Sequence, residues 1–253
     1  MKVTFLGTGA SHGIPVIGCN CEVCLSKNSK DQRLRSSVFI ETGNNNLVID
    51  VGPDFRQQML REKIIKVDAV LLTHEHKDHT AGLDDVRAFN YLMKKPMSIY
   101  AEIRVLSSIQ KEYSYVFAEK KYPGSPELDL NEILNYEFSI NGDEILPIRA
   151  YHNLLPIYGF RIKELAYLTD LKTLPPEEKE KLFNLDTLII SALRKKPHVS
   201  HLGLNEALEL IKALNPKKAY LTHLSHMQYN HDNLSNMLPD NVVVAYDGLV
   251  IDS

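Results

Sequence analysis

Short apolar runs separated by turn residues recur through both halves of the chain. Residues 1–7 open with a strand pattern that stops at Gly7. Residues 38–40 and 47–49 flank Gly43-Asn44-Asn45-Asn46 and predict a β-hairpin. Ala69-Val70-Leu71-Leu72 is apolar throughout, the pattern of a strand buried on both faces. Further strands are predicted at residues 144–150, 158–162, 188–190, 219–221 and 242–245. A period near 3.6 predicts helices over residues 54–62, 79–93, 177–183 and 204–214. In the last, Ala207, Leu208, Leu210, Ile211 and Leu214 make one broad apolar face. Strands and helices alternate in two successive halves, which predicts a layered α/β domain.

Residues 94–131 break this rhythm. They hold Tyr100, Tyr113, Tyr115, Phe117 and Tyr122, followed by Pro123-Gly124-Ser125-Pro126. The segment reads either as a lid over a site or as a surface subdomain with its own packed aromatic core. No short repeat or low-complexity tract is present.

Composition narrows the class. Of 253 residues 44% are hydrophobic, enough for a sizeable core. Lys and Arg number 29 against 32 Asp and Glu, a net charge of -3, so general attraction to nucleic acid is weak. No stretch is long and apolar enough to span a membrane. The opening strand is too short for a signal peptide, and a cytoplasmic protein is the expectation.

The chemistry concentrates at Thr73-His74-Glu75-His76-Lys77-Asp78-His79. This run follows the buried strand directly. In extended chain, residues two apart face the same side, so His74 and His76 can reach one metal ion. Asp78 and His79 fall where the chain turns into the next helix and can serve a second ion. A purely structural role would gather four polar groups into one turn without reason. The run is not a zincin helix, because the fifth position is Asp78. Gly7-Thr8-Gly9 is not a dinucleotide fingerprint either, since Gly13 comes one place late and Pro15 spoils the helix.

His74-x-His76-x-Asp78-His79 resembles the signature of the metallo-β-lactamase superfamily. The resemblance implies a four-layer α/β fold, two mixed β-sheets sandwiched between helices, in one domain over residues 1–253. It implies that His74, His76 and His152 hold one metal, that Asp78, His79 and His223 hold the other, and that Asp170 bridges them. Each of these last positions ends a strand pattern: Tyr151-His152, Thr169-Asp170 and Thr222-His223. By the same resemblance Asp50 is a carboxylate supporting the histidines. On turn preference alone, Asp50 before Gly52-Pro53 reads equally well as a turn aspartate.

Cys19, Cys21 and Cys24 fall within six residues, and an odd number so tightly spaced argues for metal over disulfides. A closed zinc site needs four ligands, and no fourth cysteine exists. His226, three residues after His223, is the candidate for the fourth. This loop resembles that of the phosphoribosyl cyclic phosphodiesterase of phosphonate breakdown and its relatives. Ser191-Ala192-Leu193-Arg194, Pro197-His198-Val199-Ser200-His201 and Ala245-Tyr246-Asp247-Gly248 fit the same group.

The resemblance therefore implies a dinuclear hydrolase, a phosphodiesterase of small cyclic ribose or nucleoside phosphates. It would use two divalent ions (zinc, manganese or iron) with a hydroxide between them, plus one structural zinc. Asp78 would orient the nucleophile, and His201 would act as general acid or phosphate binder, with His198 as a weaker candidate. Rival readings are a tRNA 3′-end endonuclease, a lactone or thioester hydrolase, and a non-catalytic zinc-binding accessory protein. No basic, Gly/Pro-rich insertion is seen, so a small phosphodiester is the expected partner rather than nucleic acid. A homodimer is compatible with all of this. An oxygen-reducing di-iron relative would carry an acidic residue where this chain has His76.

Overall fold

The computed structural model describes residues 1–120 and 122–253. Fourteen strands form two sheets among the described residues. The first holds β1 (Lys2–Gly7), β2 (Ser37–Glu41), β3 (Asn46–Ile49), β4 (Ala69–Leu71), β5 (Met97–Ala101) and β6 (Leu128–Glu132). The second holds β7 (Phe138–Ile140), β8 (Asp143–His152), β9 (Leu155–Ile162), β10 (Leu165–Leu168), β11 (Thr187–Ser191), β12 (Lys218–Thr222) and β13 (Val242–Val244). The last strand, β14 (Val250–Asp252), returns to the first sheet and pairs antiparallel with β1. Both sheets are mixed. β3 to β6 run parallel, as do β10 to β13, while hairpins supply the antiparallel edges.

Alternation along each strand builds the layers. Phe5, Leu47, Ala69 and Leu71 point inward to meet Tyr158, Phe160, Tyr167 and Ile189 of the second sheet. Leu6, Val48 and Val70 point outward, against Phe55 and Met59 of α1 (Phe55–Arg61) and Phe89. The second sheet's outer face is covered by Ala207, Ile211 and Leu214. Burial on both faces is why residues 69–72 read as uniformly apolar. Each Leu or Ile so buried contributes about 1.5–3 kcal/mol.

The helix expected over residues 79–93 is broken. α2 (Lys77–Thr80) is a single turn, a 3-10 turn follows at Leu83–Val86, and α3 spans Arg87–Met93. Gly82 explains the break. Its amide donates to the Val51 carbonyl at 2.9 Å, and a Cβ there would sit 2.2 Å from the Gly52 carbonyl oxygen. That tertiary contact overrides the helical period.

Residues 94–131 form a strand, a helix and a strand. β5 and β6 extend the first sheet, and α4 (Ile103–Glu112) packs Val105, Leu106 and Ile109 on it, with Tyr113 and Val116 also in the core. Within the segment read as a lid or a surface subdomain, Lys121 lies outside the described residues.

Three helices complete the chain: α5 (Pro176–Glu180), α6 (Leu204–Leu214) and α7 (His231–Ser235). α6 matches its predicted span. The Glu206 carboxylate accepts the Gly203 amide at 2.7 Å, and Asn215 ends the helix in a left-handed turn. Among the described residues no helix is long and apolar enough to cross a membrane.

Candidate metal centre

Ends of strands and the loops after them carry the polar cluster. Asp50 follows β3, His74 to His79 follow β4, His152 ends β8, Asp170 follows β10 and His223 follows β12. Three of these residues sit in the left-handed region: Asp50 at φ 65°, Asp170 at 58° and His223 at 53°. Such backbone is costly for a residue with a side chain, though least so for Asp, Asn and His. Each turns the chain sharply so that its side chain faces the cluster instead of continuing the strand.

Asp50 is fully buried and organises one side. Its carboxylate accepts the Thr73 amide at 2.9 Å and the Thr73 hydroxyl at 2.9 Å. It also faces His79 Nδ1 at 2.6 Å, where the imidazole donates. The turn reading and the supporting reading of Asp50 are both realised in one residue. With Nδ1 committed, His79 Nε2 faces Asp78 Oδ2 at 3.3 Å and Asp170 Oδ1 at 3.5 Å. Burial alone would lower the His79 imidazole, but Asp170, Asp50 and Asp78 raise it well above its ordinary value.

His152 is fixed in the same manner. Its Nδ1 donates to the Asp170 carbonyl at 2.9 Å and the Ser200 carbonyl at 2.7 Å, leaving Nε2 as the free donor atom. His76 is exposed, with its ring 4.6 Å from that of His74 and 5.2 Å from that of His152. Asp170 is the hub. Its oxygens lie 3.0 Å from His223 Nδ1 and 3.9 Å from His74 Nε2. Burial pushes its carboxyl up, and the imidazoles of His223 and His79 more than offset that, holding it well below the usual carboxylate range.

Potential ligand atoms gather in three sets, each within 4.8 Å: His74, His79 and Asp170; His152, Asp170 and His201; and Asp78, Asp170 and His223. These sets hold six of the seven expected donors, with Asp170 common to every set; His76 is in none of them and stands beside the cluster through its ring, next to those of His74 and His152. The sets cut across the division into pairs that the resemblance implied, because His74 and His79 approach each other through Asp170. His201 also reaches the cluster, its ring 4.4 Å from that of His152. Burial pushes the His201 imidazole down to about 3. His198 stands at the margin, 5.2 Å from His201 ring to ring, and accepts the Ser200 amide at 3.3 Å.

Divalent ions fit this donor set. His74 Nε2, His79 Nε2, His201 Nδ1 and His223 Nδ1 are buried with no hydrogen-bond partner. Four orphaned imidazole nitrogens beside two carboxylates are a heavy desolvation cost without a cation to satisfy them. Neutral imidazole with carboxylate suits zinc, manganese or iron. Sequence reading missed Thr73 and the Ser200 carbonyl. Thr73 had one signal, its place directly before His74, whereas a backbone carbonyl has none.

A second set lies apart. Cys19, Cys21, Cys24 and His226 hold their ligand atoms within 4.8 Å. His226 Nδ1 is 3.2 Å from Cys19 Sγ and 3.6 Å from Cys21 Sγ. Burial opposes ionisation of Cys21, but the Cys24 amide and His226 outweigh it and bring the thiol down to about 6. Burial pushes Cys24 up to about 11. Three sulfurs and one imidazole fit a closed zinc site. The segment after β1 that leads toward this loop is joined to the residue after His223, since Ala10 donates to the Leu224 carbonyl at 3.0 Å and Leu224 to that of Thr8 at 2.9 Å. Cys21→Ser is expected to lower the melting temperature by roughly 2–4 °C for each kcal/mol of metal-linked stability lost. Turnover should persist in the folded fraction. An unchanged melting curve with lost turnover would place the cysteines in the reaction instead.

Fold and donor set together define a protein of the metallo-β-lactamase fold with a centre suited to divalent ions. Residues 45–224 match the family described as the beta-lactamase superfamily domain, and the chain belongs to that superfamily. It is similar to the solved structure of a new diphosphatase from the PhnP family. That likeness has 35% identity and a TM-score of 0.93, over 100% of this chain and 97% of that one. A protein of Porphyromonas gingivalis named octanoyltransferase is 41% identical over 252 residues, 98% of this chain and 51% of that protein. Ribonuclease Z of an Exiguobacterium species is 28% identical over 166 residues, 64% of this chain and 48% of that protein. The chain spans about half the length of these two curated relatives.

Proposed function

We propose that the chain hydrolyses small phosphodiesters, with cyclic ribose or nucleoside phosphates as the substrate class, at a centre of two divalent ions. One observation carries this reading: His74, His79, His152, His201, His223 and Asp78 converge around Asp170, with buried imidazole nitrogens lacking any protein partner. The likeness to a PhnP-family diphosphatase supports phosphoryl chemistry. When bound, the ions supply a Lewis acid for phosphoryl oxygens and a water acidic enough to ionise near neutral pH. His74, His76 and His152 would hold one ion and Asp78, His79 and His223 the other, with the Asp170 carboxylate available to both. Asp50 keeps the proton on His79 Nδ1, and the Asp170 and Ser200 carbonyls keep it on His152 Nδ1, so both rings present Nε2. Asp78 orients the attacking oxygen, and His201 delivers a proton to the leaving oxygen or binds the phosphate. Cys19, Cys21, Cys24 and His226 would hold a zinc ion, which would brace the loop beside the centre. The whole chain acts as one domain in the cytoplasm.

A turnover screen tests this. Metal-free protein is reloaded with zinc or manganese and offered cyclic and linear phosphodiesters, diphosphates, a tRNA precursor, lactones and acyl thioesters. The ribonuclease and octanoyltransferase relatives make the RNA and thioester arms necessary. Cleavage of cyclic phosphates to monoesters is the expected result. Hydrolysis confined to lactones or thioesters would overturn the phosphodiester assignment.

A further inference from the structure

The loop that carries His74 and His76 is held along one side by α4. Lys77 pairs with Glu112, the Tyr113 hydroxyl donates to the Thr80 carbonyl at 3.1 Å, and the Tyr115 hydroxyl donates to Asp84. At the ligand-bearing end the contact is ionic. Arg104, in the first turn of α4, donates through Nη1 to Glu75, the residue between the two histidines. Its Nη2 donates to the Pro156 carbonyl of β9 at 2.6 Å and lies 3.5 Å from Glu102.

The same array closes into a ring across the two sheets. Glu102 accepts Arg149 Nη2 at 2.7 Å, and the Arg149 guanidinium stacks 3.9 Å over the Tyr158 ring. The Tyr158 amide donates to the Thr73 carbonyl at 3.0 Å, which returns to the residue before His74. Arg149 stands three residues before His152 on β8. His74 and His76 therefore belong to a loop of the first sheet, His152 to the second, and this ring spans the gap between them.

We propose that Arg104 is a positioning residue: through Glu75 it holds the backbone between His74 and His76 against β9, setting the reach of both imidazoles relative to His152. The fork of a guanidinium suits this task because it grips a carboxylate and a carbonyl in fixed geometry at once. Neither Arg104 nor Glu75 belongs to a donor set. The inference rests on the proposed metal centre, since it concerns the spacing of three of its ligands.

The test measures zinc alone. Metal-free wild type, Arg104→Met, Glu75→Gln and the double variant compete for zinc against a chelator, with thiol titration following the cysteine group separately. Either single change should weaken zinc at the histidine centre by about 10–100-fold, the range for groups that orient metal ligands. The double variant should be no weaker than Arg104→Met alone, because that change already removes the contact with Glu75. Arg104→Lys keeps the Glu75 contact but not the fork and should fall between; it also carries the test if Arg104→Met does not fold. Thiol protection and the melting curve of metal-free protein should stay near wild type. Zinc affinity within about twofold of wild type, additive losses, or equal weakening at both sites would overturn the proposal. Wild type that holds zinc at the histidines yet cleaves no phosphodiester would overturn the proposed reaction and leave this inference standing. Wild type that takes no zinc there would overturn both.

Discussion

Asp170→Asn is expected to lower turnover by about 10³-fold or more, the equivalent of roughly 4 kcal/mol of lost metal-ion stabilisation. The substitution keeps the size and shape of the side chain but removes its charge. Asp170 belongs to all three donor sets, so one change touches every ligand group at once. Its carboxylate also balances His223 and His79, which hold it well below the usual range in spite of burial. Losing that charge leaves His223 Nδ1 without the carboxylate it faces at 3.0 Å. Elemental analysis should find the histidine centre short of its full complement while the cysteine site stays loaded. The melting curve separates this from misfolding. Turnover within tenfold of wild type at unchanged metal content would reject Asp170 as a shared ligand.

Much of the fold was legible because the core strands are buried on both faces. Residues 69–72 are uniformly apolar for that reason, and the donor run that follows them stood out without any structural context. The edges were harder. β6 reads Leu128-Asp129-Leu130-Asn131-Glu132, a short alternation with only two apolar residues, and β14 is three residues long, so each carries too little pattern to stand out. The helix over residues 79–93 failed at Gly82, whose reason is a contact with a segment 30 residues earlier. Local period cannot register such a contact. In the site, residue types were readable but pairings were not. That Asp50 bonds both Thr73 and His79 depends on a left-handed turn; Gly52-Pro53 signalled a turn at Asp50, but neither its hand nor its partners. Arg104 and Glu75 are 29 residues apart, charged and ordinary in sequence. Only the packing of α4 along the donor loop gives them a meaning.

His201→Ala should separate three roles by its dependence on the leaving group. The imidazole is mostly enclosed, with Nδ1 unpartnered and 3.9 Å from Asp170 Oδ2. Burial drives it down to about 3, so the resting ring is neutral near pH 7. A bound phosphate would oppose that shift, because a nearby negative charge favours the protonated ring. If His201 then protonates the leaving oxygen, its removal should cost about 10²–10⁴-fold on a substrate with a poor alkoxide leaving group. An activated nitrophenyl ester needs little proton help and should lose less than about tenfold. Equal losses on both substrates would instead assign His201 to phosphate binding. Its place in a donor set with His152 and Asp170 allows a third outcome. A variant that loses an ion together with activity on both esters would make His201 a ligand. Metal analysis of the same preparations decides between the last two, since a phosphate binder leaves the ions in place.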